Sequence, residues 1–238
     1  MDHAGRGIAS TAGRLAVAGI ASGLIVPVLL RVARHSGVEA ADIARSLPGD
    51  ELIPDPELEI DRASVIGASA ADLWPWIVQL GKGRAGWYMP RAIERLAVWP
   101  PRKRASRTIV EDLQSLAPGD RVADWGPGDP LFEVVSLEPA RALVYLSRRD
   151  RTHEWGWPAA DAPATDVMAF SWALVIEPVD ASSSRLHIRL RGGFGRRGPL
   201  RPLAAAFGGL FDYVTIVLLF AGLRERLASQ RTHAGVLA

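Results

Sequence analysis

Arg84 is the first residue of this sequence whose type and surroundings could support chemistry. It lies in the glycine-rich stretch 81–86, where the backbone can approach a ligand closely. A guanidinium at this place could hold a carboxylate or a phosphate. The stretch lacks the Lys-Ser/Thr ending of a phosphate-binding loop. An equally good interpretation makes it a connector between two helices, with Arg84 in a structural ion pair.

Aromatic side chains flank the stretch and could form the mouth of a pocket. Tyr88 could orient a polar group of a ligand or act as an acid, but a phenol with an ordinary pKa of about 10 is a weak acid at neutral pH. Trp76 is more typical of a core residue than Trp87. The predicted ligand-binding set adds two bulky residues of a later strand: Trp76, Gln79, Arg84, Trp87, Tyr88, Phe170 and Trp172.

His153 joins Arg84 and Tyr88 as a candidate for catalysis, because a carboxylate beside a histidine can make it a general base. Asp150 and Glu154 are close to it in sequence, but the segment is densely charged, which favours a solvated loop over a catalytic dyad. The five histidines have no spacing typical of zinc sites. We predict no metal and no cofactor.

The composition is that of a globular chain with room for one domain of ordinary size. Of the 238 residues, 48% are apolar and 23% are charged, and the formal net charge is +2. This balance does not call for a polyanionic partner, and we predict no nucleic-acid binding because no module for it is recognisable. The absence of cysteine excludes disulfides, thiolate metal sites and a cysteine nucleophile.

Residues 1–35 stand apart as a hydrophobic segment. The run 15–30 contains no charged residue, and Arg14 and Arg31 bracket it. A membrane helix needs about 20 residues, and arginines at both ends can lengthen the effective span. We predict a membrane anchor through 15–30, with its sidedness open. The alternative is a cytoplasmic protein in which the run is a buried or surface-lying helix.

The rest of the chain divides into a linker and a folded domain. Residues 36–56 are interpreted as a linker because prolines and a Pro48-Gly49-Asp50 turn interrupt them. The domain spans 57–229, with the order strand, two helices, several antiparallel strands and one long helix. Helices segregated from antiparallel strands indicate the α+β class. On the last strand His187 alternates with arginines, which predicts that it faces solvent.

The long C-terminal helix is very apolar between residues 203 and 223. Asp212 interrupts this stretch, and a charge at that place is costly at the centre of a membrane. A helix packed on a curved sheet is therefore the favoured interpretation, and a second membrane span is the alternative.

Several stretches of the domain resemble uncharacterised members of the SRPBCC superfamily, which joins START-like lipid-binding domains, birch-pollen-allergen-like proteins and polyketide cyclases. They are ASAADLWPWIVQLGKGRAGWY, LAPGDRV, FEVVSLEPARALVY and FSWALVIEPVDASSSRLHIRLR, and the resemblance spans about residues 45–228. It implies a helix-grip fold, a curved antiparallel sheet wrapped around the C-terminal helix. The family tends to continue after Tyr88 with serine, tyrosine and aspartate, whereas this chain has Met89-Pro90-Arg91. No catalytic role carries over.

These observations predict that the domain binds a hydrophobic small molecule or lipid in a cavity between sheet and helix, beside a membrane. The alternative is a polyketide cyclase- or dehydratase-like enzyme that folds a reactive chain in the same cavity. Arg84, Tyr88 and His153 are the residues that such an enzyme would use. A structural role at the membrane is the third possibility, and the sequence leaves the oligomeric state open.

Overall fold

One sheet and one long helix dominate the structure, a computed structural model that describes residues 34–96, 104–125, 128–194 and 201–237, the last range with side chains from 209 to 232. The strands are β1 His35–Ser36, β2 Leu58–Ile66, β3 Arg121–Ala123, β4 Leu131–Glu138, β5 Ala142–Asp150, β6 Val167–Asp180 and β7 Ser183–Gly193. The helices are α1 Ala40–Ala44, α2 Ala70–Val78, α3 Arg91–Leu96 and α4 Arg201–Leu237.

The seven strands form one open, curved sheet in the order β1-β2-β7-β6-β5-β4-β3. Each pair is antiparallel except β1 and β2 at one edge, which run parallel. The predicted α+β class is therefore confirmed, with two short helices after the long first strand and one long helix at the C-terminus. The predicted N-terminal hydrophobic helix lies outside the described residues.

The inner face of the sheet, defined here as the face toward α4, carries the main hydrophobic core. Leu186 and Ile188 on β7 meet Leu143 and Leu174 of the neighbouring strands there. The buried side chains of α4 recur at the spacing of one helix face and close this core from the other side: Ile216, Leu219, Phe220, Leu223 and Leu227. The apolar face of the strands, which recurs every two residues, thus packs on the apolar face of α4, which recurs every 3.6 residues.

Asp212 has a buried partner on the sheet. Arg62 of β2, only 1% exposed, donates from Nε to Asp212 Oδ2 at 2.7 Å and from Nη2 to the Gly209 carbonyl at 3.0 Å. Its guanidinium also lies 5.2 Å from the centre of the Tyr213 ring. These contacts attach the first half of α4 to β2. Within the described ranges no helix is long and apolar enough to cross a membrane, and the membrane-span alternative for 203–223 is unsupported.

Residues 36–56, interpreted as a linker, contain folded structure that covers the outer face of the sheet. They include α1 and a short 3₁₀ helix, Asp50–Leu52, and Leu47 packs on Val144 and Val175 from the opposite side to the main core. Gly37 allows the segment to pass close to β2, since a Cβ atom there would lie 2.0 Å from the Ala63 carbonyl oxygen. The segment 36–56 is therefore packed on the sheet, although prolines and a turn interrupt it.

His187 does not face solvent, and the prediction that it does is wrong. Polar and apolar side chains do alternate along β7, but the polar face of this strand is covered by the segment 36–56 instead of water. His187 is fully buried, with Nε2 2.8 Å from Asp61 Oδ1 and Nδ1 accepting a hydrogen bond from Arg45. Arg189, 2% exposed, bridges Asp61 at 2.7 Å and Asp50 at 2.8 Å. The outer face of β2 and β7 thus carries a buried ionic layer.

Helix α2 positions the loop that carries most of the predicted site. Ser69 caps it by accepting a hydrogen bond from the Asp72 amide at 3.1 Å. The loop after α2 then crosses α4 at Gly222. A Cβ atom at Gly222 would lie 2.6 Å from the Tyr88 carbonyl carbon and 2.8 Å from the Met89 nitrogen. This close approach presses the loop onto the helix.

Candidate functional site

An aromatic cluster occupies the inner face between β4, β5, β6 and the loop after α2. Its members are Trp87, Trp125, Phe132, Tyr145 and Trp172. Trp172 is central, stacked on Trp87 at 5.9 Å and on Tyr145 at 5.9 Å between ring centres. Trp87, Phe132 and Trp172 are half-buried, and Trp125 is 47% exposed. The cluster is therefore an apolar surface that solvent partly reaches.

The indole N–H of Trp87 ties this cluster to α4. It donates to the Thr215 carbonyl oxygen at 3.1 Å. Thr215 in turn donates its hydroxyl to the Asp212 carbonyl one turn earlier. The Trp87 ring consequently has a fixed position, with one edge on the helix and one face on Trp172.

Arg84 lies near Val122, the β3 residue opposite Phe132, and is held by backbone. Its Nη2 donates to the Leu113 carbonyl at 2.6 Å and the Val78 carbonyl at 3.3 Å. Its Nε is buried, and no group in the described part of the chain accepts a hydrogen bond from it. The structural alternative from the sequence was an ion pair, and no carboxylate in the described ranges forms one with Arg84.

Tyr145 is a second buried donor in the cluster. The residue is 4% exposed, and its hydroxyl has no hydrogen-bond partner among the described residues. Burial raises the pKa of Tyr145, an effect that the nearby Arg84 charge opposes. The phenol is protonated at neutral pH and can donate. A buried donor without an acceptor costs about 1–3 kcal/mol, so two of them in one place are notable.

Trp76, Gln79 and Tyr88 have the contacts of core residues. Tyr88 is fully buried and donates its hydroxyl to the Trp76 carbonyl at 3.0 Å, and burial raises its pKa. Gln79 accepts from the Val110 amide at 2.9 Å and donates to the Thr108 carbonyl at 3.2 Å. Such a tyrosine is a poor proton donor to a ligand.

Phe170 lies on the inner face next to the cluster, at the end of the sheet where Arg149 and Asp124 meet. The Arg149 guanidinium lies 5.2 Å from the Phe170 ring centre and forms an ion pair with Asp124. Burial raises the pKa of the Asp124 carboxyl, and the Arg149 charge opposes this. Phe170 also contacts Phe194 edge-on. Phe170 and Trp172 thus belong to one apolar surface on the same face of β6.

His153 forms a dyad with Asp150, but away from the cluster. The turn after β5 brings His153 Nδ1 to 2.8 Å from Asp150 Oδ2, and the His153 side chain is 82% exposed. Hydrogen bonds from Thr152, and then from His153, lower the pKa of Asp150 to about 2. The solvated-loop interpretation of this segment fits the exposure.

Two clefts open elsewhere on the described surface. One of about 280 Å³ is lined by Arg91, Glu94, Arg95, Arg104, Ala105 and Arg107. The other, of about 250 Å³, lies beside the C-terminal part of α4. Neither is lined by a residue of the predicted site. In the described ranges no group of three or more histidines and carboxylates could hold a metal ion.

Trp125, Phe132 and Tyr145 are not among the site residues predicted from the sequence. Their contacts join separate strands, so no local spacing connects them. One signal was available: Phe132 and Tyr145 occupy alternate positions of two strands that a tight turn joins, which places them on one face. Arg226 was also missed. It is 1% exposed, lies 4.6 Å from the Tyr88 ring centre and pairs with buried Glu94 at 2.9 Å.

No protein-family model matches the chain, and no curated protein sequence matches it. Solved structures similar to it include protein MLL2253 from Mesorhizobium loti, with 18% identity, a TM-score of 0.39, and 72% of this chain and 97% of that chain covered. A Thermobifida fusca protein has 18% identity, a TM-score of 0.39 and coverage of 72% and 93%. An Arthrobacter aurescens protein has 12% identity, a TM-score of 0.40 and coverage of 72% and 86%. TM-scores below 0.5 do not establish a shared fold.

Proposed function

We propose that this protein is a helix-grip domain of the SRPBCC type that binds an apolar small molecule or lipid on its inner face. The observation that carries the proposal is the aromatic cluster. Five rings, connected to one another through pairwise ring contacts, lie between the sheet and α4, and four of them are partly open to solvent. Large aromatic rings with fixed positions are typical of the walls of sites for apolar ligands.

Binding is supported better than catalysis by the placement of the three catalytic candidates. Arg84 is bound to backbone carbonyls, Tyr88 belongs to the core, and His153 lies in an exposed turn. A cyclase or dehydratase would need its polar groups around one reacting atom. No contact in the described ranges joins these three side chains.

A dye titration tests the proposal. Nile red, a neutral apolar dye, is titrated into the full chain and detected by its own fluorescence and by energy transfer from tryptophan. We expect saturable binding that Trp125→Ala weakens about 5-fold or more, because this exposed ring contributes contact area without supporting the core. Trp157→Ala is the control, since Trp157 packs under Arg121 outside the cluster. Equal binding by both variants, or none by the wild type, would overturn the proposal.

We also propose that residues 15–30 bring the protein to a membrane. An exposed apolar stripe on one face of α4 supports this: Leu210, Phe211, Val214 and Val217, which are 54%, 73%, 49% and 42% exposed. The described chain begins at residue 34 and enters the sheet at β1, beside Asp61 and Arg62. Arg62 forms an ion pair with Asp212, which lies on α4 between Phe211 and Val214 of the stripe. The first described residues of the chain therefore lie close to this stripe.

Flotation with vesicles of mixed neutral and anionic phospholipid tests the membrane contact. We expect the full chain to float, removal of 1–33 to abolish most binding, and Phe211→Glu with Val214→Glu to reduce it. Val179→Glu is the matched control, because Val179 is 56% exposed but lies at the far turn of the sheet. Unchanged flotation after removal of 1–33 would contradict this part of the proposal.

A further inference from the structure

Two buried hydrogen-bond donors, one in the aromatic cluster and one in the loop after α2, indicate which apolar ligand the cluster takes. Arg84 Nε and Tyr145 Oη are both buried, and neither has an acceptor in the described part of the chain. Buried polar groups in proteins are almost always paired, so two orphan donors beside one apolar surface point to an acceptor that comes from outside the chain.

The two donors lie in neighbouring parts of the inner face and are held in position. Arg84 Cδ and Val122 Cγ1 both lie within 4 Å of the place that a Cβ atom at Gly81 would take. Val122 is opposite Phe132 in the sheet, and the Phe132 ring contacts Tyr145. Two backbone carbonyls hold the Arg84 guanidinium through Nη2, and the Tyr145 ring is stacked on Trp172 and packed against Phe132. Neither side chain has to be ordered when a ligand arrives, which lowers the cost of binding.

The charge defines the class of acceptor. Arg84 is partly buried and forms no ion pair among the described residues, so its environment favours an anion over a neutral oxygen. Tyr145 supplies a second donor that can share the same carboxylate. We propose that Arg84 and Tyr145 bind the carboxylate of an apolar acid whose hydrocarbon part lies on the aromatic cluster. This inference rests on the proposed function.

A comparison of dodecanoate with 1-dodecanol, which has the same chain and no charge, tests the inference. Each competes with Nile red on the full chain. We expect the wild type to bind dodecanoate about 10-fold more tightly than the alcohol, the difference that one charge-assisted contact provides. Tyr145→Phe and Arg84→Lys should reduce this ratio to about 3-fold or less. Because the ratio compares two ligands on the same variant, a change in the Nile red affinity of that variant does not alter it.

Tyr145→Phe has a second readout that separates a ligand site from a structural hydroxyl. Because the Tyr145 hydroxyl has no partner in the described ranges, its removal should leave the unfolding temperature of the ligand-free protein unchanged or raised. A clear fall in that temperature would show that a fixed water pairs the hydroxyl, and would contradict the inference. So would an unchanged preference for dodecanoate in both variants. Failure of Nile red to bind the wild type would instead reject the proposed function.

Discussion

A buried charge on the sheet explains why a charged residue, Asp212, occurs in the apolar helix α4. Asp212 looks misplaced in an apolar helix, yet it is the partner of Arg62, which the sheet buries on its inner face. Burial raises the pKa of Asp212, against the effect of the Arg62 charge, so removing both charges from water has a cost. Such a pair fixes where a helix lies more than it adds stability.

A double-mutant cycle tests this role of the pair. We expect Arg62→Met to lower the free energy of unfolding by about 2–4 kcal/mol, because it leaves Asp212 buried without its partner. Asp212→Leu should have a similar cost, while the double variant should lie within about 1 kcal/mol of the wild type. Urea unfolding provides the values. Arg141→Ala is the control, because the Arg141 side chain is 77% exposed and its ion pair with Glu138 lies at the surface. Additive losses in the double variant would show that each residue acts independently.

His35 gives the outer face a pH dependence. Burial lowers the pKa of His35 below its ordinary value, against the raising effects of Asp61 and Glu59. The unfolded chain therefore binds a proton more readily than the folded chain, and stability falls as the pH drops below about 6.5. The limit for one proton is about 1.4 kcal/mol per pH unit.

His35→Gln isolates this contribution. Between pH 7.5 and pH 5.5, we expect the variant to lose less unfolding free energy than the wild type, with the carboxylates titrating alike in both. Urea unfolding at the two pH values is the measurement. An identical loss in the two proteins would mean that His35 binds its proton equally well in the folded and unfolded states.

At the scale of elements, the contact between α4 and the loop after α2 decides where the aromatic cluster sits. Gly222 allows it, because the loop backbone at Tyr88 and Met89 occupies the space of a Cβ atom. We expect Gly222→Ala to lower stability by about 1–3 kcal/mol and to change the tryptophan emission, since Trp87 must move with the loop.

Gly67→Ala is the matched control for that substitution. Its Cβ atom would meet only the Arg231 guanidinium, at 3.8 Å, so we expect little change in urea unfolding or in emission. In an open helix the change from glycine to alanine stabilises by about 1 kcal/mol. A gain of that size for Gly222→Ala would contradict the close packing described here.

The sequence predicts the elements better than the layers that cover them. The alternation on β7 was sufficient to place a strand there. The same alternation gave the wrong environment for His187, because polar spacing does not distinguish a face open to water from one under a buried ionic layer. Residues 36–56 supply that layer through ion pairs with partners more than 100 positions away, such as Arg189.

At the scale of the whole molecule, the same limit applies to the candidate site. Trp87 and Trp172 were found by their size and position, but the cluster itself depends on strand pairing across β4, β5 and β6. Arg84 was found by its glycine-rich neighbourhood, whereas its relation to Tyr145 depends on how the loop packs on the sheet. Contacts of this kind arise only when the sheet, the loop and α4 assemble together.

The tryptophan side chains make the central claim directly measurable, since the chain has eight of them and each indole N–H gives its own NMR signal. Full-length protein labelled with ¹⁵N is titrated with dodecanoate. We expect the indole signals of Trp87, Trp125 and Trp172 to shift with one saturating profile, and those of Trp76 and Trp157 to stay in place. Shifts spread over all eight signals, or none at Trp87 and Trp172, would contradict an apolar ligand site on the inner face of the sheet.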